Sequence, residues 1–460
     1  MGGVELAAGL GLDSADAEML ERLQRAAFAY FVRETNPDNG LVADNSRPDS
    51  PVSIAVVGFA FSAYPVAVQR GWMARAAAVR NCLAALRFFA GSDQSGGPRA
   101  TGCHGFYFHF LDGASGARAW QSELSSIDTA LLIAGMLTAS AYFDAATPDE
   151  VELRRSAQAL YERVDWLWAQ HDDDAVVLGW KPECGFLNYG WQGYSEAILL
   201  YALGLGSPTH PLTADSFEAW TMTYQWENLY GLDLLCAGPL FEHQLSHAWI
   251  DFRGIRDGFM REKNSDYFEN SRRAAHVQRE YAIRNPRGFA GYGQDCWGLS
   301  AGDGPSVLPQ QVAGRRQAFY GYAARGVPWG PDDGTITGSA TLASLVFAPE
   351  IALPALRRMY RRQPDGTGRS VLASGWNATA NVGGAAGDPA AGDPAAGDPA
   401  AGDPATPGWI STGEYGLDQG MIVLMLENFL SGLPWRLVRG IPCIRAGLKR
   451  AGFTGGWLQA

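Results

Sequence analysis

The chain has 460 residues, of which 47% are apolar and only 18% charged, and it carries a formal net charge of −12. That length and apolar share supply a large core and exclude a disordered protein. The acidic balance argues against nucleic acid, whose phosphates select basic surfaces, and against an anionic membrane face.

The first element is an amphipathic helix over 15–34, with Leu20, Leu23, Ala27, Tyr30 and Phe31 on one side. The turn cluster Asn36-Pro-Asp-Asn-Gly40 stops it. Helices over 52–69 and 73–90 follow, split by Gly71. Residues 103–120 alternate around aromatics and predict a short hairpin turning at Asp112-Gly113. Helical periodicity resumes over 126–143 and 149–169, and a helix runs from near Tyr194 to Gly204. Further helices fall at about 213–225, 237–249, 264–283, 339–346, 349–361, 417–430 and 440–451.

About a dozen helices with few strands fit either a solenoid or a double ring of helices. A solenoid requires a repeat of about 34–47 residues, and none is visible. The fold expected is therefore all-α: one (α/α)6 barrel spanning 1–460, with a short β-hairpin and long loops at one mouth. Residues 385–404 are four copies of Ala-Ala-Gly-Asp-Pro, a turn-rich composition that packs no core and reads as a surface loop whose deletion leaves melting nearly unchanged. Six cysteines stand singly and predict free thiols rather than a disulfide framework or a zinc ribbon. No apolar run approaches the ~18 residues of a membrane span, and the start Met1-Gly-Gly-Val-Glu-Leu6 lacks the form of a secretory signal. The chain as given reads as cytoplasmic, or periplasmic if a signal has been removed.

Several motifs are weak. Gly204-Leu-Gly206 lacks the third glycine of a dinucleotide fingerprint. His243 and His247 have ligand spacing, but the glutamate of the H-E-x-x-H pattern is missing, and Glu242 precedes the first histidine. They read better as cleft or core histidines than as zinc ligands. Asp332-Asp-Gly334 and His171-Asp-Asp-Asp174 read as solvated acidic turns.

Three acids share a more telling context. Ser126 can cap a helix that puts Asp128 in its first turn, with Glu123 just before it. Glu196 falls in the first turn of a helix starting near Gly193 to Ser195, and Asp418 follows Gly416 at another helix start. Acids favour such places because free N–H groups and the helix dipole stabilise negative charge. Here, though, each acid stands among aromatics: Trp120 near Glu123; Tyr189, Trp191 and Tyr194 near Glu196; Trp409 and Tyr415 near Asp418. Indole faces stack on sugar rings and carboxylates bond hydroxyls, which is the chemistry of a saccharide cleft. Glycoside hydrolysis needs one carboxyl that holds its proton and another that stays ionised. Dipole placement suits Asp418 or Asp128 for the ionised role. For Glu196 to be the acid, burial beside Trp191 and Tyr194 must outweigh the dipole. Asp251 with Arg253 reads as an internal ion pair or a sugar contact, and Asp295, beside Trp297, is similarly divided.

The order of short motifs resembles a known family. They include Asn36-Pro-Asp-Asn-Gly-Leu-Val-Ala-Asp44, Trp120-Gln-Ser-Glu-Leu-Ser-Ser-Ile-Asp128, Gly193-Tyr-Ser-Glu196, Phe241-Glu-His-Gln-Leu-Ser-His247, Trp249-Ile-Asp-Phe-Arg253, Gly293-Gln-Asp-Cys-Trp297 and Leu417-Asp-Gln-Gly420. Over roughly 20–455 the chain resembles the bacterial glucoamylase-like domain family that includes glycoside hydrolase family 144, the β-1,2-glucanases. The resemblance implies an (α/α)6 barrel, hydrolysis of linear or cyclic β-1,2-glucan by an inverting mechanism, and no metal or organic cofactor. Glu196 matches the family's leading general-acid candidate, and Glu123, Asp128 and Asp418 match other acids of its pocket. Trp120, Trp191, Tyr194, His243, His247, Asp251, Arg253, Asp295, Trp297 and Tyr415 are the expected sugar contacts. One stretch departs from the pattern: Ala373-Ser-Gly-Trp-Asn-Ala-Thr-Ala-Asn381 lacks an aspartate and a second aromatic expected there. The partner expected is an oligo- or polysaccharide bound by a monomer, without nucleic acid or membrane. A β-1,2-glucan transglycosylase and a noncatalytic glucan-binding protein are the competing readings.

Overall fold

The computed structural model describes residues 12–171, 174–305, 309–312, 314–362, 372, 374–380 and 408–459. The repeats at 385–404, Ala373 and Asn381 of the departing stretch, and two aspartates of the 171–174 turn lie outside the described residues.

Helices of two kinds alternate along the chain. Ile54–Gln69, Ser126–Tyr142, Ile198–Gly206 and Gly416–Leu430 are apolar almost all round and buried almost throughout. The short segments Leu240–Gln244 with Leu245–Ala248, and Gly338–Ala343 with Ser344–Val346, are buried in the same way. Such helices have no water-facing side and must lie inside others. Ser14–Arg33, Arg75–Gly91, Pro148–Arg163 and Tyr267–Arg284 each bury one face and leave the other polar. Among the described residues this gives six inner segments within an outer ring, as the barrel expectation requires.

Close approach within the ring depends on glycine. A Cβ on Gly135 would lie 2.0 Å from the Gly58 carbonyl oxygen, where Ser126–Tyr142 crosses Ile54–Gln69. A Cβ on Gly447 would lie 1.7 Å from the Ala202 carbonyl oxygen, where Pro442–Arg450 crosses Ile198–Gly206. No side chain larger than hydrogen fits at either crossing.

The strands exceed the single hairpin expected. Gly102–Cys103, Phe106–Phe108, Leu124–Ser125, Gly179–Lys181 and Gly185–Phe186 form an antiparallel five-stranded sheet. The aromatic alternation at 103–120 therefore pairs partly with distant chain, although the turn at Asp112 is present: Gly116 N–H donates to the Asp112 carbonyl at 2.8 Å. The helix expected over 213–225 shrinks to Ser216–Thr221, and a hairpin follows, Trp226–Leu229 paired with Leu232–Leu235. Its turn residues Tyr230 and Gly231 both have positive φ, as a two-residue hairpin loop requires. All six cysteines are free thiols. Among the described residues no single helix is long and apolar enough to cross a membrane.

Candidate active site

The N-terminal ends of the inner segments gather the acids. Asp128 lies in the first turn of Ser126–Tyr142, Asp418 in that of Gly416–Leu430 and Glu242 in that of Leu240–Gln244. Glu196 is displaced from its expected place. The helix starts only at Ile198, after the Ala197 cap, so Glu196 sits in the turn before it and not in its first turn. The positive φ of Gly193 bends the chain on its way in.

Two adjoining hollows lie at this end. The larger, about 930 Å³, is walled by Trp191, Tyr194, Glu196, Phe241, Glu242 and Trp329. The smaller, about 180 Å³, is walled by Asp128, Glu196, Phe241, Tyr322, Ser339 and Asp418. Glu196 and Phe241 border both. Three acids far apart along the chain thus meet at one cavity, and Glu196 stands at the junction.

Electrostatics separate the acids. Burial pushes Glu196 above the ordinary carboxylate range, and the negative charge of Asp128 pushes it the same way. Burial likewise raises Glu242. Ser246 Oγ donates to the Glu196 carbonyl at 2.6 Å and fixes this turn on the inner segment that carries Glu242. Asp418 rises to about 6: burial lifts it, hydrogen bonds from Ser339 and Ser374 oppose the rise, and Asp44 and Asp303 add to it. Ser339 Oγ donates to Asp418 Oδ1 at 2.5 Å, and Ser374 Oγ donates to Oδ2. Ser374 belongs to the stretch that departs from the family pattern, so that stretch still borders the acids.

Glu123 has a different setting. It lines neither hollow among the described residues, and its Oε1 lies 2.9 Å from His109 Nδ1. Burial would raise it, but His109 outweighs that and holds it below the ordinary range.

Among the expected sugar contacts, Trp191 and Tyr194 line the larger hollow. The Trp191 indole N–H donates to Ser126 Oγ at 3.1 Å and orients the ring. Tyr415 is nearly buried; its hydroxyl accepts from Arg47 at 2.9 Å, and its ring lies 5.3 Å from Tyr322. Trp120 is 67% exposed and packs against Phe110 without lining either hollow. Asp295 is half-buried and lines neither.

Five expected contacts take other places. Trp297 is fully buried in the core. His243 lies under the Tyr194 ring, and burial pushes its imidazole down to about 4. His247 is enclosed by Phe252 and Phe347, and burial pushes it to about 3. Their four-residue spacing serves core packing: Ser271 Oγ donates to the His243 carbonyl at 2.6 Å and lies 3.0 Å from His247 Nε2. Asp251 is wholly buried beyond the C-terminal end of the segment whose other end carries Glu242. It accepts from Arg253 at 2.8 and 2.7 Å and from Arg439. Arg253 covers the Trp435 ring at 4.5 Å. The ion-pair reading of Asp251 and Arg253 is the one the structure supports.

Sequence reasoning overlooked Glu242, His109, Ser339, Ser374 and Trp329 as members of this site. None of them was signalled: the helix expected over 237–249 put Glu242 in its second turn, whereas the helix starts only at Leu240.

The family described as "Putative glucoamylase" matches residues 188–442. The chain is 25% identical to an exo β-1,2-glucooligosaccharide sophorohydrolase (non-reducing end) of Parabacteroides distasonis over 95% of its own length, but it spans only 58% of that protein. The structure is similar to that of a putative glucoamylase from Bacteroides uniformis, with TM-score 0.80, 27% identity and coverage of 96% and 98% of the two chains. It is also similar to an endo-β-1,2-glucanase from Chitinophaga pinensis seen with sophorotriose and glucose, with TM-score 0.77, 25% identity and coverage of 96% and 99%. With more than half of its residues inside the family match and the barrel shared along nearly its whole length, the chain belongs to this glucoamylase-like family.

Proposed function

We propose that this chain is a glycoside hydrolase that cleaves β-1,2-glucan with inversion, using Glu196 as general acid and Asp418 as the carboxylate that activates water. The observation that carries the reading is the position of Glu196 at the junction of an aromatic-walled hollow and a smaller hollow holding Asp128 and Asp418. The names of the relatives, a sophorohydrolase and an endo-β-1,2-glucanase, favour a β-1,2-linked substrate.

Glu196 gives its proton to the glycosidic oxygen as the bond from that oxygen to the anomeric carbon breaks. Water attacks the anomeric carbon from the opposite face, and its proton passes to Asp418. Such a pair works only while Asp418 is ionised and Glu196 protonated. Burial that lifts Glu196 keeps it protonated toward neutrality, and Asp418 is ionised above about 6. The pH–rate profile is therefore a bell whose acid limb belongs to Asp418. Trp191 and Trp329 supply flat apolar walls for sugar rings on the larger side.

The test is product analysis on β-1,2-, β-1,3-, β-1,4- and α-1,4-glucans, with the anomer of the first product read by NMR. Release of reducing sugar from β-1,2-glucan with inverted configuration is expected. Cleavage of another linkage alone, or lengthened or cyclic products, would overturn the assignment.

A further inference from the structure

His109 is a titratable group that the reaction above leaves without a task. It lies between three carboxylates drawn from three parts of the chain. Its Nδ1 is 2.9 Å from Glu123 Oε1, and its Nε2 is 3.6 Å from Asp128 Oδ2. Asp44, from the loop before the first inner helix, faces it as well, and Lys181 lies beyond Glu123. The ring is stacked on Phe110 at 3.9 Å with an interplanar angle of 14°, which fixes its plane. The backbone is held on both sides: His109 N–H donates to the Glu123 carbonyl at 2.9 Å, and its own carbonyl accepts from Ile54 N–H at 3.2 Å. Ser125 Oγ also donates to the same Oδ2 at 2.5 Å. Of this chain of groups, Asp128 alone reaches the hollow that holds Glu196 and Asp418.

We propose that His109 is a positioning residue: Glu123 orients its ring, and the ring, as an imidazolium, holds the Asp128 carboxylate at the wall of the hollow beside Glu196. Glu123 then acts through His109 and does not touch the sugar, which departs from its expected place among the reacting acids. Both ring nitrogens face carboxylates, Glu123 at hydrogen-bond distance and Asp128 at ion-pair distance, so protonation suits both, whereas a neutral tautomer would leave one facing an anion without a hydrogen. Burial disfavours the charge on His109, but Asp128, Glu123 and Asp44 outweigh it and lift the imidazole to about 9. The charge on Asp128 in turn helps to keep the proton on Glu196. Nδ1 or Nε2 of His109 and an oxygen of each acid lie within 4.8 Å of one another, a spacing that a divalent cation could also bridge. A metal would have to displace the hydrogen on the ring nitrogen that it bound.

The first measurement needs no substrate. The imidazole resonances of the ligand-free protein are titrated by NMR, with His109 assigned from their loss in His109→Gln. The expected midpoint is about 9, and Glu123→Gln lowers it by about one unit or more, the size of a lost adjacent charge. A midpoint at the ordinary imidazole value, or one that Glu123→Gln leaves in place, overturns the proposal. The second measurement rests on the proposed hydrolysis. His109→Gln and Glu123→Gln each lower kcat by about tenfold or more with KM near the wild-type value, on the scale of a displaced site group. The double variant is no slower than the slower single one. Additive losses would make Glu123 an independent contact and overturn the proposal, as would an activity removed by EDTA and restored by a divalent cation. If the wild-type protein cleaves no β-1,2-glucan, the proposed function fails, while the titration still decides the arrangement around His109.

Discussion

Ser339→Ala tests the assignment of Asp418 as the ionised partner. The substitution removes the hydroxyl that donates to Asp418 Oδ1 at 2.5 Å and leaves the Ser374 bond to Oδ2. Both bonds favour the charged form, so losing one moves the carboxyl upward. A hydrogen bond to a charged group contributes about 1.5–3 kcal/mol, and one pKa unit corresponds to about 1.36 kcal/mol. The raw expectation is therefore about one to two units. Ser374 remains and water can enter the space left, so the lower end applies, and the midpoint should rise from about 6 to about 7. The assay is kcat/KM for β-1,2-glucan against pH, which reports the free enzyme. The acid limb should move up by about one unit and the rate at pH 5 should fall about tenfold, while the rate on the alkaline side changes little. A limb that stays in place or moves down would refute Asp418 as the group that must be ionised.

Three further outcomes follow from the same geometry. Glu196→Gln should cut kcat by at least ~100-fold, about 2.7 kcal/mol of barrier, while glucan binding measured by calorimetry survives. Near-normal turnover would move the acid to Glu242. Trp329→Ala removes one wall of the larger hollow and should raise KM about tenfold, or about 1.4 kcal/mol, with kcat preserved. An unchanged KM would place the sugar elsewhere. Asp251→Asn breaks a wholly buried carboxylate from two partly exposed arginines and should cost about 1–3 kcal/mol in denaturant unfolding, with little change in KM. Arg253 and Arg439 outweigh burial and hold Asp251 below the ordinary carboxylate range, so its contribution is full above the unfolded value and lost as pH falls through the folded one.

The barrel was legible as about a dozen helices with few strands and no solenoid repeat. Ile54–Gln69 is apolar on every face, whereas Pro148–Arg163 is apolar on one stripe, and that contrast is written in sequence order. The sheet at 102–186 was not legible. Its short strands are joined by pairing across distant segments, as where Leu124 meets Trp180. The site divides in the same way. Asp128, Glu196 and Asp418 could be found from acids, aromatics and glycines at helix starts. His109 could not, because its task depends on a strand register that brings Tyr107 opposite Ser125, three residues from Asp128. His247 and Trp297 misled because a polar or aromatic residue in a family-like motif reads the same whether it faces sugar or core. Only the ring packing of Phe252 and Phe347 around His247 separates the two.

The placement of Glu196 resolves a conflict that sequence alone left open. An acid in the first turn of a helix is drawn toward ionisation by the free N–H groups there, which would disable a proton donor. Asp128 and Asp418 occupy such first turns and are suited to negative charge. Glu196 stands before the Ala197 cap, where the dipole weakens, and burial beside the Asp128 charge acts on it in the opposite direction. One residue of chain, Ala197, stands between Glu196 and the first helical position, Ile198, and sets the proposed donor apart from acids of the same side-chain chemistry in the first turns. Asp418 also feels burial, but two serine hydroxyls restrain its rise. The difference in role therefore depends less on the dipole than on which carboxylate has hydroxyl donors, and for that reason removing one hydroxyl at Ser339 should narrow the pH window in which both groups are correctly charged.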